Sequence, residues 1–534
     1  MKFDPQYYPY PSRRNVVCGS RGMVATSQPL AAQAGLEILK KGGNAVDAAI
    51  ATAAALTVVE PTSNGLGSDN MAIIWKDGKL YGINGSGKAP LAFKLKDFVY
   101  SGLTEMPDKG WASATVPAAP KTWAVLNKAM GRLTLSDDLT PAVDLAENGH
   151  AVAPTVAANW ERCYYQYRSI MTADVFKPWF DTFAPEGRAP VAGELWKCPD
   201  QARTLRLIGE TDARAFYEGE IAKKILGFSM KTHGLLCEKD LVTTEPEWVE
   251  PLSVNYHGYD VWELPPNGQG LIVLMALNIL KGFDFNVKNA ETYHRQIEAI
   301  KLAFADAFRY IADPRFADVP VAGLLSEEYA ARRRALIGEE AINPTAGNPE
   351  SCGTVYLCTA DADGTMVSFI QSNYKAFGSG IVIPGTGISL NCRAAGFSLD
   401  PNHPNAVAPG KRPYITIIPG FITKGGVPIG PFGVMGGFMQ PQGQTQVLMN
   451  LVDFGMNPQQ AIDAPRWQWT GGLNVQLEAG FGLADAKRLA YRGHNVTVAV
   501  DNNSFGRGEM ILRTEHGTLM GATESRADGC VAAW

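Results

Sequence analysis

The chain has 534 residues, of which 46% are hydrophobic and 19% charged, and its formal net charge at pH 7 is −5. This length and composition are typical of a large globular protein rather than a disordered or fibrous one. No basic run exceeds three residues, which excludes a basic tail for binding nucleic acid or an anionic membrane.

The sequence carries no recognisable targeting or metal-binding motif. The N-terminal residues MKFDPQYYPYPSRRN contain no apolar core of the kind that a secretory signal needs. The longest run of small apolar residues, 48–59, has 12 residues, whereas a membrane span needs roughly 20. The eight cysteines and seven histidines are dispersed, without a CxxC or HExxH motif. We therefore expect a cytoplasmic protein without a membrane span, a metal site or a disulfide framework.

Apolar periodicity and turn residues predict the first elements of the chain. They are a strand at 23–26, a helix that begins at Pro29, a second helix at 45–59 capped by Asn44, and a hairpin at 71–83. Residues 100–260 indicate a helical region with long loops. We find no residue pattern there that indicates a catalytic or binding role. The turn at 265–270 joins a strand to a helix, and a long amphipathic helix follows near 291–312. Further strands are predicted at 414–419 and 433–435, followed by a helix from about 442 to 453.

The stretch from 353 to 372 indicates a β-hairpin that begins with a hydroxyl residue. Apolar runs at 354–360 and 366–372 flank an Asp-Ala-Asp-Gly turn at 361–364. Gly353 precedes Thr354, and glycine tolerates backbone angles that bring a hydroxyl against the preceding carbonyl. Attack by the Thr354 hydroxyl on that carbonyl gives an ester, whose hydrolysis releases a chain beginning at Thr354. An α-amine has a reference pKa of about 7.7–8.0 and can act as the base for its own hydroxyl.

Further glycine and basic motifs accompany this hairpin. They are Gly378-Ser379-Gly380, Pro384-Gly385-Thr386-Gly387, Lys411-Arg412-Pro413 and Gly436-Gly437. Together with the run at 23–70, they resemble the γ-glutamyltransferase family of N-terminal-nucleophile hydrolases, from about residue 20 to the C-terminus. The resemblance implies an α/β fold, a four-layer αββα sandwich with two stacked antiparallel sheets between helical layers. It also implies self-cleavage into a large chain (1–353) and a small chain (354–534), interleaved in one domain and compatible with a dimer of heterodimers.

The resemblance also assigns roles to individual residues. Thr354 corresponds to the nucleophile, and Ser372 to the hydroxyl that hydrogen-bonds the nucleophile. Gly436 and Gly437 stand where backbone N–H groups hold the oxyanion. An acyl-enzyme then passes its acyl group to water or to an acceptor amine. This chemistry uses a small-molecule amide and needs no metal ion or organic cofactor.

Five positions depart from the family members that bind glutathione. Ser86 replaces the arginine that grips the glutamyl α-carboxylate, and Gly396 replaces the aspartate that pairs with the substrate ammonium. The other three are Tyr374, Arg393 and the pair Ile415-Thr416. An ammonium buried without a carboxylate is costly, whereas the guanidinium of Arg393 suits an additional carboxylate. We therefore predict Arg393, Tyr374, Thr416 and Ser86 as substrate-binding residues.

Three functional hypotheses follow from these residues. The hairpin GTVYL…SFIQS…FGSG is more similar to the branch that includes oxamate amidohydrolase than to the glutathione branch. That similarity favours a self-processing amidohydrolase of a small, oxamate-like amide that carries a carboxylate. The second hypothesis is a γ-glutamyl transferase or glutathione hydrolase with a rearranged glutamate pocket. The third, from another class, is an unprocessed relative that binds ligands without catalysis.

Self-cleavage at the predicted bond gives fragments of 353 and 181 residues. N-terminal sequencing of the smaller fragment should read Thr-Val-Tyr-Leu. Thr354→Ala should remain a single chain because it lacks the hydroxyl, whereas Thr354→Ser should still cleave because its primary hydroxyl supplies the same nucleophile. Cleavage at another bond, or processing of the alanine variant, would contradict the assignment.

Overall fold

A computed structural model gives the fold, and it describes residues 14–344 and 353–534. The N-terminal arm at 1–13 and the residues at 345–352, just before the predicted cleavage site, lie outside the described ranges. Within those ranges the backbone forms 18 α-helices and 21 strands. The strands are β1 (Val17–Gly19), β2 (Gly22–Thr26), β3 (Asp69–Lys76), β4 (Lys79–Gly85), β5 (His150–Ala151), β6 (Leu195–Trp196), β7 (Glu247–Val249), β8 (Leu252–Tyr256), β9 (Tyr259–Glu263), β10 (Gly353–Asp361), β11 (Met366–Tyr374), β12 (Val382–Ile383), β13 (Ile388–Ser389), β14 (Gly420–Lys424), β15 (Val427–Met435), β16 (Trp467–Gly471), β17 (Asn474–Leu477), β18 (Asn495–Val498), β19 (Arg507–Arg513), β20 (Leu519–Thr523) and β21 (Cys530–Ala533).

The helices lie mostly in the first two thirds of the chain. They are α1 (Pro29–Lys40), α2 (Ala45–Val59), α3 (Leu95–Tyr100), α4 (Ala119–Met130), α5 (Leu135–Asn148), α6 (Pro154–Ile170), α7 (Lys177–Phe183), α8 (Pro199–Glu210), α9 (Arg214–Tyr217), α10 (Glu220–Lys231), α11 (Glu238–Val242), α12 (Gly270–Leu280), α13 (Ala290–Tyr310), α14 (Val321–Leu324), α15 (Glu327–Arg334), α16 (Met439–Val452), α17 (Pro458–Asp463) and α18 (Leu483–Tyr491). No helix of the described ranges combines the length and the apolar character that crossing a bilayer requires.

Two antiparallel sheets form the centre of the molecule. Sheet A has the strand order β1-β20-β19-β15-β14-β9-β8, and sheet B has the order β21-β2-β10-β11-β3-β4-β7. Both sheets contain strands from before residue 353 and strands from after it. The two parts of the chain are therefore interleaved, and neither part builds sheet A or sheet B alone.

Helices cover the outer face of each sheet. Helix α2 packs on β10 and β11 of sheet B, and all 15 of its residues are buried because its face away from the sheet packs on α1 and α5. Helices α12 and α16 pack on sheet A. A separate apolar cluster, with Tyr356 and Met435 among its members, fills the space between the sheets. The predicted αββα sandwich is confirmed.

Most predicted elements agree with the structure. Helix α1 begins at Pro29, and Asn44 caps α2 in a reciprocal capping box with Asp47. The hairpin predicted around Asp77-Gly78 is β3–β4, and the long amphipathic helix is α13. The region 100–260 is helical as predicted, with the short strands β5 to β9 added.

Two predictions between residues 414 and 442 are wrong. Residues 414–419 do not form a strand; prolines flank the segment, and its backbone bonds to a loop and to side chains instead. Ile415 N–H donates to the Asn267 carbonyl, and Ile418 N–H donates to Gln440 Oε1. Helix α16 begins at Met439, three residues before the predicted start, because Pro441 is tolerated in a first helical turn.

A close approach between the sheets fixes the strand that carries Thr354. A Cβ atom built on Gly433 of β15 would lie 2.4 Å from the ring of Tyr356 on β10. Tyr356 is buried, and its hydroxyl lies 2.7 Å from Ser368 Oγ, so the ring has little room to move. Only glycine allows the two strands to approach this closely.

Gly433→Ala should therefore lower the thermal unfolding midpoint. Overpacking of this kind costs about 1–3 kcal/mol. The matched control is Gly227→Ala in α10, where an added Cβ meets nothing within 4 Å, and this change should be neutral or slightly stabilising. Equal midpoints for the two variants would contradict the proposed contact.

Candidate active site

The β10–β11 hairpin positions the hydroxyl of Thr354. Gly353 pairs with Tyr374 and Val355 pairs with Gln371, so the register shifts at Thr354. A bulge at a strand end turns a side chain out of the regular alternation. Thr354 is fully buried, and its Oγ1 lies 3.1 Å from Ser372 Oγ. The structure thus brings the predicted nucleophile and its predicted hydroxyl partner into contact.

Ser372 is held in turn by the backbone. Its Oγ accepts the N–H of Tyr374 at 2.8 Å, across one tight bend at the end of β11. Tyr374 has φ +78°, a left-handed conformation that is uncommon for a tyrosine. The bend therefore holds Ser372 where its hydroxyl contacts Thr354.

The glycine pair follows the end of β15. Gly436 and Gly437 have φ +135° and +58°, conformations that favour glycine. Within residues 14–344 and 353–534, neither N–H has an acceptor, whereas the Gly437 carbonyl accepts from Gln269 Nε2 at 2.8 Å. Two N–H groups that lack acceptors at a strand end suit an oxyanion, as the sequence predicts.

A buried ion pair lies next to the hydroxyl pair. Asp69 opens β3 and is the register partner of Ser372. The Nε of Arg393 donates to both carboxylate oxygens of Asp69, at 2.9 and 3.0 Å, and each side chain is only 1% exposed. Burial raises the pKa of the Asp69 carboxyl, and the Arg393 guanidinium opposes that rise.

Arg393 also contacts two other predicted residues. Its Nη1 donates to Thr416 Oγ1 at 3.1 Å, and its Cζ lies 5.2 Å from the centre of the Tyr374 ring. Its Nη2 is buried and has no hydrogen-bond acceptor among the described residues. From sequence alone, Arg393 is predicted to bind a substrate carboxylate with its whole guanidinium; in the structure it pairs with Asp69, and one N–H₂ group lacks an acceptor among the described residues.

Gln269 connects the ion pair to the glycine pair. Its Nε2 donates to the carbonyls of Thr416 and Gly437, both at 2.8 Å, and its Oε1 accepts from the Tyr414 hydroxyl at 2.9 Å. The sequence analysis missed Asp69 and Gln269. Neither belongs to a motif near Thr354, so only the tertiary contacts could have identified them.

Within the described residues, neither Ser86 nor Gly396 supplies a side-chain partner for the Arg393 guanidinium. The Ser86 hydroxyl donates to Asn84 Oδ1 at 2.6 Å and lies near Asn267. A Cβ atom on Gly396 would lie 2.6 Å from the Tyr414 carbonyl oxygen, so an aspartate would not fit there without a backbone shift. Residue 396, where the sequence has glycine in place of the ammonium-binding aspartate, therefore also lacks the space for an aspartate side chain.

Two cavities adjoin the bend at Tyr374 and Lys375, and Lys375 and Asp108 line both of them. The first, which we call the Gly436 cavity, has a volume of about 480 Å³ and includes Gly436, Lys375 and Ala376 in its wall. The second, the aromatic cavity, has a volume of about 1080 Å³. Its wall contains the rings of Phe308, Tyr374, Phe397, Tyr414 and Phe438.

One group of side chains has the composition of a metal site. His294, Glu298 and His494 place their ligand atoms within 4.8 Å of one another. The Lys301 ammonium, however, donates to Glu298 Oε1 at 2.7 Å and already supplies a cation there. Burial lowers the pKa of His294 to about 4 and that of His494 to about 3, so both rings are neutral at pH 7.

This group holds the last described segment of the large chain. The His294 Nε2 lies 3.0 Å from the Gly338 carbonyl oxygen, while Glu298 accepts from Ile342 N–H at 3.1 Å and Lys301 donates to the Ile342 carbonyl at 3.0 Å. We therefore interpret the group as a hydrogen-bonded anchor. The absence of a resident metal stays a prediction.

Comparison with known proteins identifies the family. The family described as "Gamma-glutamyltranspeptidase" matches residues 31–534. The chain belongs to this family. Its members of similar sequence include the glutathione hydrolase-like YwrD proenzyme of Bacillus subtilis, which is 39% identical over 96% of this chain and 98% of the relative. The oxamate amidohydrolase proenzyme of Klebsiella pneumoniae is 34% identical over 96% of this chain and 99% of the relative.

A solved structure agrees with the fold over its whole length. The cephalosporin acylase from Bacillus halodurans superposes with a TM-score of 0.97 and is 57% identical, covering 100% of this chain and 99% of that one. The relatives are enzymes that are named as hydrolases or acylases, and several are named as proenzymes. The chain is therefore an amidohydrolase or acylase of the γ-glutamyltranspeptidase family.

The contact between the two hydroxyls predicts the effect of Ser372→Ala. Loss of this hydrogen bond should slow both self-cleavage and turnover by on the order of 1–3 kcal/mol. The matched control is Ser368→Ala, on the same strand, which loses a buried hydrogen bond to Tyr356 instead. We expect the control to lower stability but to leave the cleavage rate nearly unchanged. If Ser372→Ala cleaves and turns over at the wild-type rate, its contact with Thr354 is only structural.

Proposed function

We propose that the chain is a self-processing amidohydrolase that cleaves its own Gly353–Thr354 bond and then hydrolyses an external amide through Thr354. In the first reaction the Thr354 hydroxyl attacks the Gly353 carbonyl carbon, and water hydrolyses the resulting ester. This hydrolysis leaves a carboxylate on Gly353 and a free α-amine on Thr354. The observation that carries the proposal is the buried contact between Thr354 Oγ1 and Ser372 Oγ, directly after a glycine.

The second reaction uses the new α-amine as the base. It takes the proton of the Thr354 hydroxyl while the oxygen attacks the substrate carbonyl carbon. The N–H groups of Gly436 and Gly437 donate to the oxyanion of the tetrahedral intermediate. The C–N bond then breaks, the leaving amine takes the proton, and water hydrolyses the acyl ester. The names of the relatives as proenzymes support the first reaction, and their names as hydrolases or acylases support the second.

We further propose that the acyl group carries a carboxylate, which binds the free N–H₂ group of Arg393. A buried donor without an acceptor costs about 1–3 kcal/mol, so the site gains when a ligand supplies an acceptor. Asp69 binds Nε of the guanidinium and Thr416 binds Nη1, which leaves Nη2 to the substrate. The ring of Tyr374 lies against the same guanidinium and lines the aromatic cavity.

The size of the aromatic cavity favours an acyl group longer than that of oxamate. Ligand cavities typically measure about 300–1,000 Å³, and a cavity of about 1080 Å³ far exceeds what a two-carbon acid occupies. The similarity to a cephalosporin acylase favours the same choice. Oxamate remains a candidate because one relative is named for it.

A γ-glutamyl substrate is the second candidate. The glutathione hydrolase-like relative favours it, since it is 39% identical over most of both chains. Two observations argue against a γ-glutamyl substrate. An aspartate does not fit at Gly396, and Asp69 is already paired with Arg393, so the substrate ammonium would lack a free carboxylate. The cytoplasmic location, the dimer of heterodimers and transfer to an acceptor amine stay predictions.

The double variant Asp69→Asn/Arg393→Gln tests the role of the ion pair. Arg393→Ala alone would leave Asp69 buried and unpaired, whereas the double variant removes both charges and keeps side chains of similar size. The substrates are glutaryl 4-nitroanilide and butyryl 4-nitroanilide, which share a leaving group and differ in the acyl carboxylate. We expect kcat/KM to fall by about one to two decades for the glutaryl compound, since a charged hydrogen bond contributes roughly 1.5–3 kcal/mol, and to fall much less for the butyryl compound.

Two other outcomes would change the assignment. An equal fall for both substrates would mean that the pair only supports the fold. If wild-type enzyme prefers γ-glutamyl 4-nitroanilide to both, the second candidate is correct and another carboxylate binds the ammonium. A purified chain that stays uncleaved and hydrolyses none of these compounds would favour the non-catalytic relative.

A further inference from the structure

The side-chain amide of Gln269 has only one orientation that satisfies its hydrogen bonds. The carbonyl oxygens of Thr416 and Gly437, each 2.8 Å from one end of the amide, accept hydrogen bonds and cannot donate them. That end is therefore the Nε2 N–H₂ group, and both of its hydrogens are used. The other end, Oε1, lies 2.9 Å from the Tyr414 hydroxyl, which donates to it. Gln269 is fully buried, so bulk solvent does not compete for these three bonds.

The backbone of Gln269 is fixed as well. Its N–H donates to the Ile415 carbonyl at 3.1 Å, and the neighbouring Gly268 forms an isolated β-bridge with Ile415. The Asn267 carbonyl accepts the N–H of Ile415 at 3.1 Å. The turn that carries Gln269 is thus held at one place, and its side chain reaches the glycine pair from a fixed base.

Two further contacts restrict the chain at Gly437. The Gly437 carbonyl also accepts the N–H of Gln440 at 3.2 Å, in the first turn of α16. The ring of Phe438, the next residue, stacks on the ring of Tyr414 with an interplanar angle of 23°. Tyr414 therefore acts on this segment in two ways, directly through Phe438 and through the amide of Gln269.

The direction of the Gly437 N–H group matters for the chemistry. A donor to an oxyanion is effective only if its direction is fixed before the negative charge develops. Gly437 has φ +58°, and glycine has few steric limits on its backbone angles, so its own conformation does not fix that direction. The hydrogen bond from Gln269 to the Gly437 carbonyl supplies such a restraint.

We propose that Gln269 is a positioning residue for catalysis, which holds Gly437 so that its N–H group points at the oxyanion, and that the Tyr414 hydroxyl fixes the orientation of the Gln269 amide. The inference rests on the proposed function, since it assigns a support to the glycine pair of that reaction. Neither the Gln269 amide nor the Tyr414 hydroxyl bonds to the substrate in this role. Loss of the support should therefore lower kcat and leave KM nearly unchanged.

Gln269→Glu keeps the size of the side chain and removes its N–H₂ donor. An ionised carboxylate repels the two carbonyl oxygens that it faces, whereas a protonated carboxyl restores one donor. At alkaline pH we expect kcat for glutaryl 4-nitroanilide to fall roughly 10- to 100-fold, which is less than the loss of about 10²–10³ that follows removal of an oxyanion donor. The ratio of wild-type to variant kcat should shrink as the pH is lowered and the introduced carboxyl binds a proton.

The matched control is Gln446→Glu in α16. Gln446 is also buried, its Nε2 donates to the carbonyls of Gln442 and Trp467, and its Oε1 accepts the N–H of Trp467. These partners belong to α16 and β16 and not to the glycine pair. The control should lower the thermal unfolding midpoint to a similar extent, while its kcat stays near that of the wild type at every pH.

Tyr414→Phe tests the same support without a change at Gln269. The ring and its stacking on Phe438 remain, and only the hydrogen bond to Gln269 Oε1 is lost. We expect kcat to fall roughly three- to tenfold, as for the loss of one neutral hydrogen bond, with KM nearly unchanged. If Gln269→Glu does not fold or does not cleave itself, Tyr414→Phe decides alone.

The outcomes separate this inference from the proposed function. If Gln269→Glu and Tyr414→Phe both keep the wild-type kcat while Thr354→Ala is inactive, the inference fails and the proposed function stands. An equal fall of kcat in Gln269→Glu and Gln446→Glu, or a rise of KM in place of a fall of kcat, would also overturn the inference. If wild-type enzyme hydrolyses no acyl anilide, the proposed function fails and the inference fails with it.

Discussion

The antiparallel pairing of β10 with β11 is the constraint on which the rest of the site depends. A threonine that attacks the bond before it has to be held firmly, yet the chain before it has to remain cleavable. The hairpin meets both conditions, since β10 is paired on both sides, by β2 and β11, while Thr354 itself lies at the bulge where regular pairing stops. The close contact of Gly433 with Tyr356 then fixes β10 against the facing sheet. The position of the proposed nucleophile is thus set by the centre of the fold and not by a surface loop.

The interleaved sheets explain how a cleaved chain would stay together. Strands β2, β3 and β4 come from the large part of the chain and flank β10 and β11 from the small part. Separation of the two parts would break backbone hydrogen bonds throughout both sheets and expose the apolar cluster between them. The side chains of His294, Glu298 and Lys301 bind Gly338 and Ile342 in addition, so the last described segment before residue 353 is held near α13.

In the proposed function, the buried Asp69–Arg393 pair serves specificity instead of stability. Two ions removed from water gain little net stability from their mutual attraction. Here the pair leaves one N–H₂ group of the guanidinium without a protein acceptor, next to the ring of Tyr374. In combination with Gln269, which bonds to both Thr416 and Gly437, the pair joins the acyl side of the site to the oxyanion position. A substitution at Asp69 would therefore act on substrate binding through Arg393.

The sequence by itself determined the β10–β11 hairpin, the glycine pair and the general architecture, because these depend on local signals. Thr354 follows a glycine at a strand start, Ser372 follows on the paired strand, and glycines at 436 and 437 mark a strand end. The helix cap at Asn44 and the helix start at Pro29 are equally local. Each of these features depends on a few neighbouring residues. The family resemblance implied how the features are placed relative to one another in the fold.

Only the tertiary structure decided the surroundings of the site. Asp69 lies 324 positions from Arg393 in the chain, and no local pattern links a carboxylate at the start of one strand to an arginine in a distant turn. The same holds for Gln269, which lies in a turn that the sequence alone indicates only as the connection between a strand and a helix. The segment 414–419 was misread for a related reason, since its backbone bonds to Asn267 and Gln440 and not to a neighbouring strand. Charge pairing and cavity walls arise from contacts between remote parts of the chain, so they were determined by packing and not by sequence pattern.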